Sequence, residues 1–164
     1  MMGSLFSGFL LLLLLTISQA HVIEEVCSKS ENPSLCNSIL RSDPQCSGVQ
    51  IQKLCDIIVK KAILSTQAAL EVAKSYDNGM NKQKCDACAK SYSNAITNLN
   101  DCQRLVNTNN RGSISTLRTR LSAIKTEVTA CDNQFGESQP FMLKTASRSC
   151  QEMISVLLAI ANRM

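Results

Sequence analysis

Four long blocks of this chain contain neither glycine nor proline, and each repeats its apolar residues every three to four positions. A block of that kind cannot turn back on itself, and its period is that of a helix with one buried face. The first stripe runs Ile51, Leu54/Cys55, Ile58, Ala62, Ser65, Ala69, Val72, Tyr76. The second runs Cys85, Cys88, Tyr92, Ala95/Ile96, Leu99, Cys102, Val106. The third is Ile114, Leu117, Leu121, Ile124, Val128, Cys131, and the fourth is Met142, Ala146, Met153, Val156/Leu157, Ile160. Strand-type alternation is absent over any useful length. Short turns separate the blocks, at Asp77-Asn78-Gly79, Asn107 to Gly112 and Gln134 to Gln139. Turns this short join antiparallel neighbours, so the expected fold is all-α, an up-down-up-down four-helix bundle over residues 47–164. Residues 21–46 hold two short segments broken at Pro33 and read as an N-terminal helical hairpin extension. With 164 residues the chain makes one domain with a substantial core.

The first twenty residues belong to neither part. Leu10 to Leu15 form an uncharged run too short to cross a bilayer, which takes about 20 apolar residues. Ser18-Gln19-Ala20 supplies the small residues of a cleavage site. Residues 1–20 therefore read as a secretory signal peptide, cleaved before His21, although the first nine residues carry no Lys or Arg. The alternative is a retained anchor. The leader has no charged side chain, so the mature chain keeps the net charge of +4. The expected product is secreted and extracellular, with no membrane association after cleavage. Asn32-Pro33-Ser34 has proline at the forbidden centre of a sequon, so no glycosylation is expected.

Secretion changes the meaning of nine cysteines and one histidine. In a cytosolic chain they suggest metal or redox work, in a secreted one crosslinks. Counting at about 1.5 Å per residue from the turn near residues 107–113 places Cys88 level with Cys131 on the neighbouring helix. Counting from the turn near 76–82 places Cys55 level with Cys102, a possible extra disulfide. Cys27 and Cys36 flank Pro33 and suit a local bridge. Cys46, Cys85 and Cys150 have no assigned partner, and an odd total leaves at least one thiol outside an intrachain pair. A bridge closing a loop of this size contributes about 3–4 kcal/mol. Cys85-Asp86-Ala87-Cys88 has thioredoxin spacing, but no strand precedes it, and no second close pair exists for a Cys₄ zinc site. The motif reads as structural Cys88 with Cys85 one turn away.

Catalysis finds no foothold. One histidine, His21, lies at the expected new terminus, where frayed residues seldom carry chemistry. Glu24-Glu25 are adjacent, with nothing to separate their pKa values as acid–base catalysis requires. No nucleophile elbow, zinc motif, Walker loop or dinucleotide fingerprint occurs. No catalytic residue, metal or cofactor is expected. Aromatics make up 4 % of the chain and Trp is absent, which argues against a platform for stacking sugars or bases. Arg111, Arg118, Arg120 and Lys125 line one stretch opposed only by Glu127. They read as a solvated helix face or as an electropositive edge for an acidic partner, and not as a nucleic-acid site.

Taken in order, the motifs resemble the plant invertase/pectin methylesterase inhibitor family. Cys27-x8-Cys36 with Pro33, then Arg41-Ser42-Asp43-Pro44, is similar to the opening of that family. Cys88-x3-Tyr92-x2-Ala95 resembles its second-helix signature, and Ser122-Ala123-x2-Thr126-x4-Cys131-x3-Phe135 its third. The resemblance implies a four-helix bundle with an N-terminal hairpin and disulfides Cys27–Cys36 and Cys88–Cys131. It implies no enzyme but an inhibitor of pectin methylesterase, or alternatively of acid invertase. The resemblance further implies a monomer in a 1:1 complex that occludes the substrate cleft with the second and third bundle helices. Thr126 matches a third-helix contact, and Thr129 and Lys125 stand beside it. The methylesterase branch usually has an acidic residue at the position of Thr129 and Asp at that of Asn133. The invertase branch typically has a Pro-Lys-Phe segment where this chain has Asn107 to Gly112. The absence of that segment favours the methylesterase branch. A non-inhibitory structural or signalling bundle of the plant cell wall is the reading of another class. Non-reducing peptide mapping is expected to recover Cys88 joined to Cys131; a Cys85–Cys131 peptide would overturn the structural reading of the C-x-x-C.

Overall fold

The computed structural model describes residues 21–76, 79–108 and 110–164; the expected leader, residues 77 and 78 of the first turn and residue 109 of the second lie outside them. The described residues are all-helical, without strands. A short helix over 21–27 (α1) and α2 (Pro33–Ser42) form the hairpin, followed by a 3₁₀ turn at Pro44–Cys46. The bundle is α3 (Ile51–Ser75), α4 (Lys82–Thr108), α5 (Arg111–Phe135) and α6 (Phe141–Arg163). Each packs against its two neighbours, α3 beside α4, α4 beside α5, α5 beside α6 and α6 beside α3.

Local chemistry sets the helix ends. Asn32 caps α2, its side chain accepting from the Leu35 N–H at 3.1 Å, and Pro33 occupies the first turn, where a missing N–H costs nothing. Asn110 and Ser113 form a reciprocal capping box at the start of α5. Gly136, at φ +55°, ends α5 in a conformation that L side chains rarely adopt. Pro140 then precedes α6.

The core takes one stripe from each helix. On α3 it includes Leu54, Cys55, Ile58, Ala62, Thr66, Ala69 and Ala73; on α4 it is Cys85, Cys88, Tyr92, Ala95, Leu99, Cys102 and Val106. On α5 it includes Leu117, Leu121, Ile124, Val128, Cys131 and Phe135. The expected face of α6 holds at Val156, Leu157 and Ile160 and shifts earlier in the helix, where Leu143, Ser147, Cys150 and Ile154 are buried, Ala146 and Met153 are half-buried and Met142 is 56 % exposed. Ser147 earns its core position by donating to Asp132 Oδ1 at 2.7 Å, and Cys150 Sγ sits 3.1 Å from Thr66 Oγ1. Polar atoms satisfied in this way hide the true apolar period from a count of hydrophobic residues.

Two disulfides close, Cys27–Cys36 within the hairpin and Cys88–Cys131 between α4 and α5. The possible Cys55–Cys102 bridge does not: these two, with Cys46, Cys85 and Cys150, stand outside any disulfide, and all five are buried. The height count itself is sound. Gln52 Nε2 donates to the Val106 carbonyl at 2.9 Å and Gln103 Nε2 to Asp56 Oδ1 at 3.4 Å, which brackets the two cysteines at one level. Height is only one requirement, however; a disulfide also needs converging Cβ vectors. Burial pushes the thiols of Cys55 and Cys102 up to about 12 and those of Cys46 and Cys150 up to about 11. Such groups stay protonated and unreactive at neutral pH.

The hairpin lies on the bundle with Val26, Cys27, Cys36 and Leu40 buried. Ion pairs fasten it: Glu25 with Arg163 of α6, Glu31 with Lys125 of α5, and Asp43 with Lys61 of α3, the last at 2.7 Å. Lys61, with the Gln45 N–H, holds the Asp43 carboxyl below the usual carboxylate range. A lowered folded-state pKa adds stability above the unfolded pKa and loses it as pH falls through the folded value. Asp43→Asn is therefore expected to lower Tm at pH 6, with the difference closing only well below about pH 4; an equal difference at pH 2 would refute this. For the thiols, a disulfide-exchange reagent should find none reactive in the native mature chain and five after denaturation.

Candidate functional site

The hairpin is fastened to α3, α5 and α6 through Lys61, Lys125 and Arg163, and the candidate face is the outer surface of α4 and α5. Its axis is the α4–α5 seam. Cys88–Cys131 crosses the seam in the core, with Cα atoms 4.6 Å apart. At the surface, Arg120 Nη1 lies 2.9 Å from Asp101 Oδ2, and Asn98 Nδ2 donates to Glu127 Oε2 at 3.2 Å. Lys84 sits over the Phe135 ring, 5.3 Å from its centroid. These contacts fix the two helices against each other along most of their length.

Along α5 the face is a row of hydroxyls. Thr116, Thr119, Ser122, Thr126 and Thr129 each donate to the carbonyl one turn back, at 2.8 to 3.3 Å. A hydroxyl has one hydrogen, so this engagement leaves only oxygen lone pairs for anything that docks. Thr126 is exposed and Thr129, one turn on, is half-buried. The face is therefore polar, rigid and accepting.

The basic stretch does not make an electropositive edge. Arg118 Nε donates to the Ala161 carbonyl of α6 at 2.9 Å, Arg120 pairs with Asp101, and Lys125 pairs with Glu31 of the hairpin turn. Arg111 alone of the four stands exposed at the helix start. Lys125 thus separates from Thr126 and Thr129. It lines a cleft of about 270 Å³ between the hairpin turn and the α5–α6 groove, with Arg148 and Gln151. Charge spacing along one helix shows none of this, because each partner sits on another element.

Sequence reasoning missed Asp132. Its carboxylate accepts from Ser147 Oγ at 2.7 Å, Gln151 Nε2 at 2.6 Å and Gln139 Nε2 at 2.8 Å. It ties the last turn of α5 to the following loop and to α6. Its place directly after a bridging cysteine was the available signal. Among the described residues no group of three or more His, Cys, Asp or Glu is placed to hold a metal ion, and no helix is long and apolar enough to cross a membrane.

The profile of the plant invertase/pectin methylesterase inhibitor family matches residues 21–160. The chain belongs to that family. Pectinesterase inhibitor 2 of Arabidopsis thaliana is 27 % identical over 154 residues, covering 90 % of this chain and 86 % of its own length. The pectinesterase inhibitor of Actinidia deliciosa is 26 % identical over 151 residues, covering 88 % and 80 %. In fold, the chain matches a mutant form of a pectin methylesterase inhibitor from Arabidopsis with a TM-score of 0.75 at 19 % identity, over 87 % of this chain and 96 % of that one. A second inhibitor structure from Arabidopsis matches at 0.62 and 20 % identity, over 85 % and 93 %. Membership makes this a chain of an enzyme-inhibitor family, and the bundle with its hairpin is the fold it shares with those structures.

Proposed function

We propose that this chain is a secreted inhibitor of pectin methylesterase that works by covering the enzyme's substrate cleft in a 1:1 complex. The observation that carries this reading is the alignment of pectinesterase inhibitors with nearly the whole mature chain. The architecture supports it. Residues 1–20 direct export, and residues 21–46 and 47–164 act as one inhibitor domain in the cell wall. The chain supplies no catalytic group and needs no cofactor: it binds and excludes substrate.

The α4–α5 face is the surface that does this, with Thr126 and Thr129 at its centre. Because their hydrogens are already engaged within α5, the matching enzyme surface must bring donors, such as arginine, lysine or backbone N–H groups. Lys125 acts at one remove, bracing the hairpin turn against α5 through Glu31. Thr129 takes the place of the acidic residue usual in the methylesterase branch, so affinity here relies less on charge and more on shape.

Titrating the mature protein against several pectin methylesterases and an acid invertase at pH 5 and pH 7 tests the reading. Loss of methylesterase activity at a one-to-one ratio is expected, with invertase unaffected. Thr126→Arg, which places a bulky donor against donors, should weaken inhibition at least about tenfold without changing Tm. Inhibition of invertase alone would move the chain to the other branch. Inhibition of neither enzyme would favour a structural or signalling role.

A further inference from the structure

α3 packs against α4 and α6 and stands diagonally across the bundle from α5, so its outer side points away from the α5 hydroxyl row. Lys53, Ile57, Lys60, Lys61 and Leu64 recur on that side at helical spacing. With Gln45 of the 3₁₀ turn they line a trough of about 480 Å³. Lys53 and Lys60 both reach Asp56, at 3.5 and 3.0 Å, and Lys61 reaches Asp43 at 2.7 Å. The two carboxylates lie deep, at 14 % and 13 % exposed, whereas the three lysine side chains are 60 %, 55 % and 38 % exposed. An ammonium has three N–H donors, so one bond to an aspartate leaves two for a ligand. Three cations thus share two sunken anions, and the outer layer of the trough is cationic.

We propose that this trough on α3 is a second binding surface, which holds a polycarboxylate polysaccharide, the demethylated form of pectin. The choice of polymer rests on the reading that the chain inhibits pectin methylesterase. Hydrolysis of a methyl ester, in which ester and water give carboxylic acid and methanol, leaves one carboxyl for every ester removed. Such carboxyls are ionised above about pH 4. The trough complements that charge, and the net +4 of the chain draws a polyanion from a distance. The residue types favour a polymer over an acidic protein. Protein interfaces are enriched in arginine and aromatic residues and depleted of lysine, and the trough holds three lysines, no arginine and no ring. Lysine is a flexible point charge that meets carboxylates at many spacings, which suits a repeating polyanion. With α3 on the polymer, α4 and α5 remain open to the enzyme, so the inhibitor is held where demethylation has already taken place.

Binding of the mature protein to polygalacturonate, to fully methyl-esterified pectin and to polyglutamate at pH 5, over a range of NaCl concentrations, tests this. The native chain should bind polygalacturonate, lose affinity as salt rises and ignore the esterified polymer. Lys53→Gln/Lys60→Gln/Lys61→Gln should bind at least about tenfold more weakly. Lys29→Gln/Lys90→Gln/Lys144→Gln removes the same charge from exposed lysines at three other places and should cost less than about twofold. If the first variant fails to fold without the Lys61–Asp43 pair, Lys53→Gln/Lys60→Gln carries the same comparison. Equal losses in the two triple variants, or equal binding of the esterified polymer, would overturn the proposal. So would tighter binding of polyglutamate, the sign of a surface for an acidic protein. Methylesterase inhibition is measured alongside. Polygalacturonate binding without inhibition removes the inhibitory reading and keeps the trough; inhibition without polygalacturonate binding does the reverse.

Discussion

The Cys88–Cys131 bridge sets the height of α4 against α5, and the outer face of that pair inherits its spacing from it. With the register fixed, Asp101 meets Arg120 and Asn98 meets Glu127, each a surface contact of modest worth by itself. Asp132 carries the constraint onward, because the residue after the bridge binds α6 through Ser147 and Gln151. The result is a two-helix plate whose side chains are placed before any partner arrives. Preorganisation of this kind lowers the entropy lost on association.

Much of the bundle was legible because its determinants are local. Glycine and proline punctuation gave the turns, and three-to-four spacing gave the stripes of α4 and α5 nearly residue for residue. Counting along helices was enough to level Cys88 with Cys131. It did not decide which level pairs bond. Cys55 and Cys102 lie at one level and remain separate thiols. The first half of the α6 face was misread because Ser147 and Cys150, polar or weakly polar, occupy core positions through partners on α5 and α3.

The candidate face was less legible than the fold. Thr126 and Thr129 were reached through a family pattern, yet nothing in their spacing reveals that their hydroxyl hydrogens are turned inward. The basic stretch looked like one feature and separates into a helix clasp, a seam pair and a hairpin brace. Such divisions depend on what stands opposite each side chain, which is a property of the assembled bundle.

The five buried thiols also bear on how this chain matures. On the proposed secretory route it would meet an oxidising compartment with nine thiols, four of which pair in the fold and five of which do not. Helices and hairpins assemble in microseconds to milliseconds, whereas disulfide formation takes about seconds to hours. A core that closes first shields Cys46, Cys55, Cys85, Cys102 and Cys150 from oxidant and leaves the bridge to lock a register that packing has chosen. Any substitution that slows the closing of this core lengthens the interval in which nine equivalent thiols compete, so its damage appears as scrambled covalent isomers rather than as a lower melting point.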